Sequence, residues 1–433
     1  MKKNFKFLSL ALMLPLAFAS CKKNDDDTGP SGNNSVHKIT VENVLHSKPL
    51  VESGTFKGTG TPPVIMPGES VTVTFSAAKG EAITFATMYG WSNDLFFAPA
   101  NPGISVYLSD GTPIEGDVSS QIKLWDNGTR VNQAPGSAVT HPGTANSANV
   151  TEVSGTDAQG NTYLAASSLL KATLDYNGNS TFTLTIQNMS GGTANETPFS
   201  PGVWAVSYIA GGNLLNPSPL YKSGQATTTG LTAIAERGDN SILAASVQAM
   251  TGIFTPLSPI LVVIYNGITN PIYQNGTYDA GKGLTLLAQR GNAETLATYL
   301  RTVAGVKSVY VLPAAGTTVL LPAMNGMSGG KVSQDISVVA GDKIAVATMY
   351  GFSNDWFFAT TGEIDATTKR DISSTVKLYD DGTAINQFPG AGITQFNLSG
   401  TPLAEHLLID EVPNPNPFTT LPAVSSMIRV TLE

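Results

Sequence analysis

The chain has 433 residues, of which 41% are hydrophobic and only 13% charged, with a net charge of −8 and a single cysteine. That length allows about two or three domains. The acidic balance leaves nothing to neutralise phosphates and argues against nucleic acid as a partner, and one cysteine excludes an intrachain disulfide, so the folds must stand on their cores.

The N-terminus reads as an export signal over residues 1–20. Lys2 and Lys3 supply the positive region, and Phe7 to Ala19 is apolar but too short to span a bilayer as a helix. Small residues then lead to Cys21, the lone cysteine, in the manner of a bacterial lipobox. Acylation there would anchor the chain to a membrane by burying acyl CH₂ groups. Residues 21–36 are polar, acidic and without apolar period, as a flexible tether would be. The acidic residues Asp25–Asp27, shortly after the cysteine, resemble the surface-export signal of bacterial outer-membrane lipoproteins. The expectation is therefore an outer-membrane lipoprotein displayed at the cell surface.

Period-two alternation marks strands along the rest of the chain. In a first unit, 37–176, these are Lys38–Leu45, Ser70–Ser76, Ala82–Tyr89, Gln121–Trp125 and Ser168–Leu174. A second unit, 180–433, opens with Thr181–Asn188 in the manner of the first and closes with Ser425–Leu432, which repeats the first unit's closing strand. Ala86–Ala98 returns as Ala347–Ala359 with changes at only two of thirteen positions, Trp91 to Phe352 and Leu95 to Trp356. The duplicated object is thus a whole domain. A smaller duplication, 199–255 and 256–313, lies inside the second unit: Gly230–Asn240 recurs as Gly283–Ala293. Leu231, Ile234 and Ala235 have helical spacing, and Gly238 fits the residue that closes a helix. Short strands, frequent turns and no repeating βαβ predict an all-β protein of two tandem antiparallel β-sandwiches, the second with short helical insertions.

The chemistry-bearing residues cluster at strand ends. Asp94 follows a strand and a Gly-x-Ser-Asn bend, and Asp126-Asn127-Gly128-Thr129 stops the next strand; Asp355 and Asp380-Asp381-Gly382-Thr383 repeat this. Loops gather at one pole of a sandwich, and Ca²⁺ takes six to eight oxygens from carboxylates, carbonyls and amides. Asp94, Asp126 and Asn127 in one copy, with Asp355, Asp380 and Asp381 in the other, are therefore the candidate metal ligands. Asn93 and Asn132 in the first copy, and Asn354 and Asn386 in the second, are further oxygen donors. Asx turns would account for the same aspartates without a metal. Trp91, Phe96, Trp356 and Phe357 are candidates for an aromatic platform that meets an extracellular protein or glycan. No enzyme is expected. None of the four histidines has metal-ligand spacing, and Asp94 with Asp126 is the one carboxylate pair a glycoside hydrolase could use.

The recurrent stretch resembles the spondin N-terminal domain family, which carries Met-x-Gly-x-Ser-x-Asp-Trp followed by Trp/Tyr-Asp-x-Gly-Thr. Here these stand as Met88, Gly90, Ser92, Asp94 with Trp125–Thr129, and as Met349, Gly351, Ser353, Asp355, Trp356 with Tyr379–Thr383. The resemblance implies a β-sandwich with calcium at a loop end, serving adhesion rather than catalysis. Arg130 and Ala384 stand where family members often carry an acid, and Leu95 where they carry Trp.

Overall fold

The structure, a computed structural model, describes residues 34–313 and 319–433. The signal segment, Cys21 and nearly all of the tether lie outside these residues. Ser35 and Val36, read as tether, already belong to the first strand.

In chain order the main elements are β1 (Ser35–Asn43), β2 (Leu50–Phe56), β3 (Ser70–Ser76), β4 (Ala82–Met88), β5 (Leu95–Pro99), β6 (Ile122–Asp126) and β7 (Thr151–Val153). Next come β8 (Leu170–Gly178), β9 (Thr181–Asn188), β10 (Gly202–Ser207), α1 (Thr229–Arg237) and α2 (Ser241–Met250). Then follow β11 (Ile260–Tyr265), α3 (Leu284–Arg290), α4 (Glu294–Leu300), β12 (Val306–Leu312) and β13 (Lys331–Val338). The chain closes with β14 (Lys343–Met349), β15 (Trp356–Thr360), β16 (Val376–Asp380), β17 (Asp410–Glu411) and β18 (Ile428–Leu432).

These strands build two antiparallel β-sandwiches. In the first, a sheet ordered β3-β9-β8 faces a larger one ordered β2-β10-β4-β5-β6-β7; in the second, β13-β1-β18 faces β12-β11-β14-β15-β16-β17. The two are the same object strand for strand. Their boundaries, however, are not those that sequence order suggests. β9, expected to open the second unit, pairs with β3 and β8 of the first sandwich. β1, expected to open the first unit, runs between β13 and β18 of the second. The opening strands of the two units are exchanged, so the first sandwich is an uninterrupted stretch inserted between β1 and β11 of the second. Each exchanged strand ends in a buried asparagine that fixes it in place. Asn43 Nδ2 donates to the carbonyls of Thr255 and Leu320, and Asn188 Nδ2 to those of Ile65 and Thr197.

The helical duplication is also divided between the sandwiches. α1 and α2 cover the outer face of the first large sheet, and α3 and α4 that of the second. This explains why β4 and β14 are largely apolar and buried on both faces. Ile83 and Phe85 point between the sheets, whereas Ala86 and Met88 lie under α1 and α2. In β14, Ile344 and Val346 face the inter-sheet core, and Ala345 and Ala347 face the helices. Gly238 adopts a left-handed φ of 68° and closes α1, as its spacing predicts.

Sandwich pairing decides which fragment is autonomous. Residues 48–252 contain every strand of the first sandwich and its helices, and are expected to melt cooperatively when expressed alone. Residues 37–176 lack β9 and β10 and carry β1 without its neighbours. Circular dichroism of that fragment is expected to show no cooperative transition.

Candidate functional site

Each sandwich carries the recurrent stretch at one end, and the kept residues have local structural reasons. A Cβ on Gly90 would stand 2.6 Å from the Pro198 carbonyl, and one on Gly351 2.5 Å from that of Pro256. Ser92 Oγ donates to the Tyr89 carbonyl and accepts from Leu95 N–H; Ser353 does the same between Tyr350 and Trp356. The bend this closes aims Asp94 and Asp355 inward, each with 0% exposure. In the following turns Gly128 and Gly382 have left-handed φ of 77° and 68°, and pass close to the carbonyls of Ala148 and Leu407.

The two buried aspartates grip these turns alike. Asp94 Oδ2 accepts from Thr129 N–H at 2.9 Å, Thr129 Oγ1 at 3.1 Å and Arg130 N–H at 2.8 Å. Asp355 Oδ2 accepts from Thr383 N–H at 2.7 Å, Thr383 Oγ1 at 3.1 Å and Ala384 N–H at 2.8 Å. The other oxygen of each, Asp94 Oδ1 and Asp355 Oδ1, is buried without a hydrogen-bond partner, as are Asn132 Oδ1 and Asn386 Oδ1. Asp126 and Asp380 sit on the adjacent strand end. Each accepts from the Gly N–H two residues on, making an Asx turn, and from the side-chain amide of Asn132 or Asn386.

Burying a carboxylate disfavours its charged form. Burial, then the neighbouring Asp126, push the Asp94 carboxyl up to about 6 despite the loop N–H groups that oppose the shift. Burial and Asp380 hold Asp355 well above the ordinary carboxylate range. Burial also raises Asp126.

The poles differ on the side facing the helices. In the first, Asn127 Oδ1 accepts from Thr227 Oγ1, and Asn127 Nδ2 donates to the hydroxyls of Thr129 and Thr232. Asn127 is thus committed to the helix side and does not turn towards Asp94. Arg130 beside it makes a bidentate pair with the buried Glu236 of α1, at 2.9 and 2.8 Å. In the second pole Asp381 replaces Asn127, Ala384 replaces Arg130, and Gln289 replaces Glu236. Asp381 lies near Asp279, and burial followed by Asp279 raises its carboxyl to about 7. Thr383 Oγ1 stands 3.1 Å from Asp355 Oδ2 and 3.0 Å from Asp381 Oδ2, and its one proton can serve only one of them. Asp381 Oδ1 has no partner. Among the described residues no group of three or more His, Cys, Asp or Glu side chains is placed to hold an ion. A cation here would therefore depend on amide, hydroxyl and carbonyl oxygens beside the carboxylates.

Three of the four aromatic candidates are not surface residues. Phe96 packs beneath α1 against Tyr221, Phe357 lies beneath α3, and Trp356 is in the inter-sheet core; all are at most 2% exposed. For Phe96 and Phe357 the physical reason is the helix layer, which buries the strand face that would otherwise meet solvent; Trp356 points the other way, between the two sheets. Trp91 alone is half-buried. Sequence reading missed Asp279, Thr227, Thr232, Thr285 and the Arg130–Glu236 pair. The helical duplication already set Thr232 opposite Thr285 and Glu236 opposite Gln289, but their side chains reach the poles only once the helices lie on the sheets.

Comparison with protein-family models and with curated protein sequences finds no match for this chain.

A carboxyl raised in the folded state contributes stability below its unfolded value near 3.8, and this is lost as pH rises through the folded value. Without divalent cations the melting temperature is therefore expected to fall between about pH 4 and pH 7 and to level off above that. Asp94 alone accounts for about 3 kcal/mol at about 1.4 kcal/mol per pKa unit. Asp94→Asn and Asp381→Asn should each flatten the profile recorded by differential scanning fluorimetry.

Proposed function

We propose that the chain is an envelope-anchored binding protein of spondin-like type, held at the outer membrane through a lipid on Cys21, with calcium-organised poles and an extracellular protein or glycan as partner. The observation that carries the ion reading is the unpartnered oxygen at the same place in both poles. Asp94 Oδ1 and Asp355 Oδ1 are buried, raised in pKa and without a donor, and Asn132 Oδ1 and Asn386 Oδ1 accompany them. A buried carboxylate without compensation is costly, and a divalent cation compensates both aspartates of a pole at once. Asp94, Asp126 and Asn132 would hold it in the first pole, and Asp355, Asp380 and Asn386 in the second. The second pole is the more acidic, because Asp279 and Asp381 add charge where the first has Arg130 paired with Glu236. Calcium competes there with the proton, so its effect grows with pH. The role is one of binding and display, with no step of catalysis.

At pH 8, millimolar calcium is expected to raise the melting temperature by roughly 5 °C. The double variant Asp94→Ala, Asp355→Ala should lose this shift; an unchanged melting curve in the parent chain would remove calcium from the account. Separately, Cys21→Ser should move the protein from the membrane fraction to the soluble fraction of fractionated cells, as seen by immunoblot.

A further inference from the structure

The two sandwiches stack end to end, and this makes their poles unequal. The second pole packs against the opposite end of the first sandwich, at the β8–β9 turn. Ser180 Oγ accepts from Gln387 Nε2 at 3.1 Å and from Ile393 N–H at 2.8 Å, and Asn179 Nδ2 donates to the Asn386 carbonyl at 3.1 Å. Around these bonds Tyr208 packs on Phe254, and Phe254 on Phe352. Phe388 and Ala391 are buried in the same cluster. β1 begins at the far end of the second sandwich, where Ser35 pairs with Val338, so the first pole forms the tip most distant from the start of the first strand.

The docking loop of the joint has a copy at that tip. Asn386-Gln387-Phe388-Pro389-Gly390-Ala391-Gly392-Ile393-Thr394 corresponds to Asn132-Gln133-Ala134-Pro135-Gly136-Ser137-Ala138-Val139-Thr140. Both loops are closed by the same bond, Thr394 N–H to Gln387 Oε1 at 2.9 Å and Thr140 N–H to Gln133 Oε1 at 3.1 Å. The tip loop therefore has this closure without a partner, which lowers the ordering cost of binding, although Val139 N–H, the counterpart of Ile393 N–H, donates to the Gly136 carbonyl within the loop and leaves the Gln133 amide as the donor for a partner. Its surroundings are open. Ala134, Ser137 and Ala138 are exposed, and Gln133 and Trp91 half-buried, whereas Gln387, Phe388 and Phe352 are 3–5% exposed. Gln133 Nε2 donates to nothing among the described residues, where Gln387 Nε2 donates to Ser180.

We infer that the tip formed by Asn132–Thr140 and Trp91 is a protein-docking surface that accepts a tight β-hairpin turn carrying a hydroxyl side chain, in the way the second pole accepts the β8–β9 turn of its own chain. Ala134 stands where the joint has Phe388, so the partner hairpin brings an aromatic of its own to that place. The inference rests on the reading of the chain as a binding protein, but not on the ion.

The test uses the full chain and a cyclised peptide of residues 174–184, the hairpin that fills the joint, titrated by calorimetry in EDTA and again in calcium. Saturable binding is expected, weakened roughly tenfold by Gln133→Ala and by the peptide variant Ser180→Ala, and tightened roughly tenfold by Ala134→Phe. Melting temperatures measured alongside should change little, because Ala134 is exposed and the half-buried Gln133 side chain makes a single bond within the tip loop. Absence of saturable binding to the Ala134→Phe chain, or equal binding to parent and Gln133→Ala chains, overturns the inference. So does a glycan that binds at Gln133 when the hairpin does not. Hairpin binding that survives EDTA in a chain with no calcium-induced melting shift would sink the ion reading and leave this one standing.

Discussion

The position of β1 between β13 and β18 is the constraint on which the rest depends. A sandwich needs its small sheet complete to cover the inner face of the large one, and β1 supplies Ile39 and Val41 to that core. By giving its first strand to the second sandwich, the chain must take β9 for the first. One β-hairpin, β8–β9, is thereby local, and the equivalent pairing, β18 with β1, joins residues nearly four hundred positions apart. The local hairpin has a tight turn at Asn179 and Ser180, both with positive φ, and that turn is what the second pole grips. The joint between sandwiches thus follows from the exchange of strands.

The poles show how one solution to a local problem can diverge. Both bury an aspartate to tie a turn to a strand end, and both leave one of its oxygens without a donor. Around that shared core, α1 brings Glu236 against Arg130, whereas α3 and the loop before it bring Thr285 and Asp279 against Asp381. Charge is nearly balanced in the first case and concentrated in the second. One pole is closed inside a joint and the other faces outward with Trp91 and a preformed loop. The same motif therefore serves cohesion at one end of the molecule and exposure at the other.

Much of the fold was legible because strand periodicity survives without context. β3 and β9 alternate cleanly, since one face of each is buried and the other meets solvent. The capping glycine of α1 and the Asx turns at Asp126 and Asp380 are short-range features, decided by a few neighbouring residues. The aromatic candidates failed for the opposite reason. Phe96 and Phe357 alternate as strand residues do, but whether the outer face is wet depends on helices more than one hundred positions away in one case and more than sixty in the other.

By itself, then, the sequence determined the repeated unit, its strands, its turns and the aspartates that close them, because these depend on neighbours along the chain. Tertiary structure decided which strand completes which sandwich, since β1 and β9 share the same alternating pattern and that pattern does not name a partner. It also decided that Asp279, Arg130 and Glu236 belong to the poles. Above all it decided which pole is covered: the loops at Asn132 and Asn386 share Asn-Gln-x-Pro-Gly and a closing threonine, and the stacking of one sandwich on the other makes one of them a joint and leaves the other a tip.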